Sequence, residues 1–319
     1  MGMADQADVL AQGVSALRQE DSAQQSLGVS LLESVIQNAP ASSEAGTACY
    51  QLGCHYAKDR VKSLAYFKQS YGIPGKDQSN AGISVAHTLV ATGKRLDAGT
   101  VFEEVGTRFP DRAKYAFYRG GMCYLGESRG KKDSAALRNR AKDLFVRSVA
   151  AGNLEAKLQF LGMRWEDCYD GKGEYDELIP DLETYANDVK APKYARARCL
   201  LMIAEYGADN RDSDMALSYT SKVLTPEYQK CRTEQAWAMH VKAIALGDLG
   251  KWDEVVAVCN DIYSGFTDSN NFGGNNVRAN ALCDKARALK KLGQDEESAA
   301  VLATLRQEYP EYAKLGGLE

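Results

Sequence analysis

Two distant stretches of the chain repeat one spacing of small and large apolar residues. In one, Ala98, Phe102 and Val105 follow at steps of four and three, with Gly93 upstream and Pro110 downstream. In the other, Ser298, Leu302 and Leu305 do the same between Gly293 and Pro310. Such steps put side chains on one face of a helix. The glycine predicts a left-handed end to the preceding helix, and the proline predicts a stop. A companion pattern places glycine within an apolar helix: Leu52-Gly53 before Tyr56, Phe117 and Gly121 before Tyr124, Leu161-Gly162 before Trp165. Glycine inside a helix costs about 1 kcal/mol relative to alanine. Its recurrence therefore predicts close approach of a facing helix, at the small residues Ser63, Ala98, Ala141 and Ala216.

The prolines give the period. They stand at 40, 74, 110, 180, 192, 226 and 310, and without Pro180 the gaps are 34, 36, 82, 34 and 84. The two long gaps are close to double the short ones, as if each lacked one proline. Pro180 is expected in the first turn of its helix, where proline is tolerated. Leu52, Gly53, Tyr56, Ser63 and Phe67, and again Phe117, Gly121, Tyr124, Ala141 and Phe145, resemble the tetratricopeptide repeat (TPR). Gly152, Ala156, Leu161 and Gly162 resemble the related SEL-type repeat. Either resemblance implies an all-α fold: a right-handed α-solenoid of about eight antiparallel helical hairpins. The expected hairpins are 4–40, 43–75, 78–110, 112–150, 153–190, 192–226, 228–264 and 275–312, in one continuous array. Two stretches interrupt the rhythm, a basic loop over 126–134 and a Gly/Asn-rich connector over 264–276.

Composition narrows the function. Of 319 residues 26% are charged, and the net charge is -4. That balance argues against nucleic acid or an anionic membrane as the partner, since both favour a basic surface. No apolar run approaches the 18 or so residues of a membrane span. The start, MGMADQADVL, has neither the cationic opening nor the apolar core of a signal peptide. The eight cysteines form no Cys-x-x-Cys pair and fill small or apolar helix positions, as reduced thiols do. The expected compartment is the cytoplasm, with the periplasm as the alternative if a signal was removed.

Little in the sequence nominates catalysis. His55, His87 and His240 each lack a carboxylate or second ligand at helical spacing. Asp268, Asn270 and Asn271 lack the spacing and terminal Glu of a calcium loop. The run 209–214 reads as a solvated turn with a helix cap. No cofactor, metal or catalytic residue is expected.

In the resembled family the first helix of each hairpin lines a concave groove. Carried onto this sequence, the partner-binding positions are Tyr50, His87, Tyr118, Met122, Gln159, Met163, Met202, His240 and Arg287. Cys54, Ile83, Arg198 and Cys283 stand beside them. The Lys, Arg and Asn cluster with which the family's chaperone-tail adaptors clamp a terminal carboxylate is absent, leaving Arg119, Arg198 and Arg287 scattered. Tyr and Met suit capture of a helix or an extended peptide. The expected function is a non-enzymatic adaptor or assembly scaffold with a protein partner. Two alternatives stay open: a self-associating scaffold without a peptide ligand, and an exported bacterial envelope assembly factor.

Overall fold

The computed structural model describes residues 3–129, 134–266 and 276–313. The core of the loop at 126–134 and most of the connector at 264–276 lie outside these residues. All regular structure among the described residues is helical. The chain divides into two compact units, Met1–Phe160 and Leu161–Glu319. Helix α9, Leu154–Tyr169, spans the division.

The first unit contains α1 (Met3–Leu17), α2 (Ser22–Asn38), α3 (Ser43–His55), α4 (Arg60–Gly72), α5 (Gln78–Ala91), α6 (Arg95–Arg108), α7 (Pro110–Ser128) and α8 (Ala135–Ala150). From α1 to α8 each helix packs on the one after it in this set, and α1 also reaches α3, as α5 reaches α7. The starts are set by side chains that accept an orphan backbone N–H. Asp21 accepts from Gln24 N at 2.8 Å, Ser42 from Ala45 N at 3.1 Å, and Asp59 from Lys62 N at 3.1 Å. Leu32, Val35, Ala48 and Leu52 form one buried cluster, and Phe67, Val85, Leu89, Phe102 and Val105 anchor another.

The second unit contains α10 (Tyr175–Ala186), α11 (Lys193–Asp209), α12 (Ser213–Val223), α13 (Arg232–Asp248), α14 (Trp252–Gly265), α15 (Val277–Lys291), α16 (Asp295–Glu308) and the short α17 (Pro310–Ala313). Here α11 packs on α13 and α13 on α15, so alternate helices lie side by side. Leu178, Leu182, Tyr185, Leu201 and Ile203 are among its largest fully buried side chains.

The glycine pattern has two outcomes. Gly53 and Gly121 lie hard against the rings of Phe67 and Phe145, where an added Cβ would stand 2.6 Å and 2.7 Å from ring carbons. Ser63 also faces Gly53, its hydroxyl donating to the Gly53 carbonyl at 2.8 Å. Gly162 departs from the expectation: no atom lies within 4 Å of its Cβ position, so nothing approaches it closely. Pro180 departs too. It is the sixth residue of α10, in the second turn, and offers no N–H to the carbonyl of Asp176.

Gly93, Gly171, Gly250 and Gly293 turn the chain within their hairpins at φ between 68° and 79°. At the matching turn between α11 and α12 stands Arg211, at φ 58°. Its N–H reaches Ala208 O at 3.0 Å, and Asp212 N reaches Gly207 O at 2.8 Å. A side chain in that region costs about 1–2 kcal/mol. Arg211→Gly is therefore expected to raise the thermal midpoint, by about 1 kcal/mol of stability, as calorimetry would show. An unchanged or lower midpoint would mean that the arginine side chain compensates the strain.

Candidate partner-binding surface

In the first unit three equivalent positions share one construction. The Tyr50 ring lies 5.7 Å from Phe67, His87 5.3 Å from Phe102, and Tyr118 6.1 Å from Phe145. Each pair joins the first helix of a hairpin to the second helix of the same hairpin. The phenylalanines are buried and the three inner rings are half-buried. The rings thus sit on apolar pedestals with one face partly open to solvent. Tyr115, 42% exposed, and Met122, 37% exposed, extend the surface along α7.

Polar contacts fix these rings. His87 Nε2 and the Tyr115 hydroxyl share a hydrogen bond of 2.7 Å between α5 and α7. Burial holds the His87 imidazole below its ordinary range, and the Arg119 charge adds to this. Burial raises the Tyr50 phenol, which also interacts with Cys54 and Ser84. The Tyr118 phenol is raised by burial and by Glu155, against the pull of Arg119. Arg119 Nε is buried and makes no hydrogen bond among the described residues. Gln159, on α9, is half-buried.

The second unit treats its expected positions differently. Met163 and Met202 are buried, 2% and 3% exposed, and present almost no surface to a partner. His240, on α13, has a carboxylate that helical spacing did not show: Nε2 lies 3.0 Å from Asp284 Oδ2 on α15. Exposed Arg287 holds the other Asp284 oxygen at 2.9 Å. The Trp237 ring meets His240 edge-on at 5.4 Å. Arg198, half-buried on α11, acts on both Glu205 and Glu234. Burial raises both carboxyls above their ordinary range. Asp209 raises Glu205 further, and Arg198 counteracts the shift at both.

Tyr115, Arg119, Glu205, Glu234 and Asp284 are the additions that three-dimensional packing makes to the sequence-derived set. Tyr115 was within reach of the sequence, three residues before Tyr118 on the same helix. The partners of His240 were not, because they lie on other helices. None of the eight cysteines forms a disulfide. Burial pushes the Cys49 thiol up to about 11 and Cys259 up to about 12, so neither is an activated nucleophile. Among the described residues no group of His, Cys, Asp and Glu is placed to hold a metal, and no helix is long and apolar enough to cross a membrane.

No family model matches the chain, and no curated protein matches it. Among solved structures it is similar to the TPR2AB domain of yeast Sti1 in a pHSP90 complex, at 14% identity and TM-score 0.31, covering 87% of this chain and 96% of that one. It is also similar to the P58(IPK) TPR domain, at 13% identity and TM-score 0.32, covering 98% of this chain and 97% of that one.

Proposed function

We propose that the chain is a non-enzymatic protein-binding module that captures a peptide or helix on the first helices of consecutive hairpins. The observation that carries this reading is the row of half-open rings Tyr50, His87 and Tyr118, each set on a buried phenylalanine. Rings held in this way lose little side-chain entropy when a partner covers them, and large aromatic contacts dominate binding energy. Met122 adds an adaptable apolar contact beside them.

The test begins with selection of peptides from a displayed random library on the full chain. The selected peptide is then titrated against Tyr115→Ser and Met122→Lys, both changes at exposed positions. Each is expected to weaken binding at least about tenfold, or 1.4 kcal/mol, and Met122→Lys should do so with an unchanged melting temperature. Binding untouched by both changes would refute this surface. A library that yields no ligand, alongside a stable dimer in solution scattering, would favour the self-associating scaffold.

A further inference from the structure

In the first unit, residues of α1 and α3 line one recess of about 700 Å³, within the size range of pockets that bury a ligand. One wall is a single face of α1, where Ala7, Leu10, Ala11 and Val14 fall at helical steps. Leu10 and Val14 are half-buried: they pack against the cluster of Leu32, Val35, Ala48 and Leu52 and still border the recess. Ala7 and Ala11 are exposed, so short side chains leave that apolar wall accessible.

The wall on α3 is polar. Thr47 and Gln51 line it one turn apart, and the Gln51 amide makes no hydrogen bond among the described residues. Tyr50, the first of the half-open rings, stands between these two on the same helix. A segment lying on that ring therefore reaches the recess without leaving α3.

Charge at the mouth is unevenly matched. Arg18, just past the end of α1, and Lys76, in the turn before α5, are both exposed and both border the recess. Neither side chain makes a hydrogen bond or an ion pair among the described residues. Of the described residues that line the recess, Glu44 alone is acidic, and its carboxylate accepts from the Ser43 hydroxyl at 3.0 Å. An apolar wall, an open amide and two unpaired cations thus stand against one engaged carboxylate. That combination complements an apolar side chain with a carboxylate beside it.

We propose that this recess docks one end of the bound segment, seating an apolar side chain against Leu10 and Val14 and an Asp or Glu side chain at Arg18 and Lys76. The inference rests on the partner-binding reading above and specifies the chemistry of that end. The apolar contact supplies most of the affinity there, because exposed ion pairs contribute little on their own. The two cations select which segment is seated and speed its encounter.

The experiment selects peptides from the displayed library on the full wild-type chain and titrates synthetic copies against two variants. The pool is expected to be enriched in Asp or Glu close to an apolar residue. Ala11→Glu, which brings a carboxylate onto the apolar wall, should cost at least about tenfold in affinity, and so should the double reversal Arg18→Glu with Lys76→Glu. Replacing the acidic residue of the peptide by Lys should weaken binding to wild type and restore it on the double reversal. That exchange reports direct contact, which a purely structural effect would not reproduce. Amidating the peptide C-terminus should leave affinity unchanged; a loss on amidation would assign the cations to a terminal carboxylate and overturn the proposal.

A pool without acidic enrichment also overturns it, as does affinity untouched by the double reversal. Both reversed cations are exposed, so that variant decides the matter even if Ala11→Glu fails to fold. Peptides sensitive to Tyr115→Ser and Met122→Lys but indifferent to the double reversal would sink this inference and leave the row of rings standing. If no peptide is selected, both fall.

Discussion

Phe102→Ala should destabilise the first unit by about 3–5 kcal/mol, the range for removing a fully buried aromatic ring. Phe102 has no exposed surface and sits in a cluster with Val85, Leu89 and Val105. Those neighbours are held by two helices and cannot collapse into the space, so a cavity remains. Urea denaturation of the full chain reads the loss. The same change reaches the proposed binding surface, since the Phe102 ring meets His87 at 5.3 Å and Tyr115 at 6.4 Å. Water admitted beneath the imidazole reduces its burial, which is the main cause of its lowered pKa. An NMR titration should then find the His87 pKa of the variant higher than that of the wild type. A small stability loss with an unmoved imidazole would show that the pedestal carries no weight.

Gly207→Ala and Gly162→Ala are expected to move stability in opposite directions, although both place alanine inside a helix. A Cβ at Gly207 would stand 2.8 Å from Ala216 N and 3.2 Å from Asp212 O, both backbone atoms of the facing segment. Backbone cannot turn aside as a side chain does. The helices α11 and α12 must separate, which costs about 1–3 kcal/mol. At Gly162 the Cβ enters open space, so only the helix preference acts and stability rises by about 0.5–1 kcal/mol. Parallel thermal melts decide the matter. Two changes of the same sign would mean that close approach at Gly207 does not limit the packing.

The contrast between these glycines shows what was legible in the sequence. Helical spacing and the turn residues Gly93 and Gly293 are local properties, readable from one stretch of chain, and both glycines do take positive φ. Whether a helical glycine meets another helix depends on where that helix lies, and Gly53 and Gly162 look alike until then. Arg211 illustrates the converse. The left-handed turn is imposed by the hairpin even where the sequence offers arginine, because Asp212 starts α12 by accepting from Met215 N at 2.9 Å.

The ring-on-phenylalanine construction of the proposed binding surface was legible to the same depth. Tyr50, His87 and Tyr118 were found by their place on a helix, and their phenylalanine pedestals follow from the repeat spacing. Met163 and Met202 satisfied the same pattern, yet burial depends on neighbouring helices that the pattern does not specify. The His240–Asp284 pair is 44 residues apart and lies between two helices, so no local spacing contains it.

Because each helix of the first unit packs on its neighbours along the chain, a break in one place stays local. Losing the grip between α5 and α6 would disturb α4 and α7 but leave α1 packed on α2 and α7 on α8. Such a unit can open piecewise, and amide exchange should then differ from hairpin to hairpin. A partner laid across Tyr50, His87 and Tyr118 touches three hairpins at once. Its binding would close those separate openings together, so that occupancy is felt as stiffness along the row.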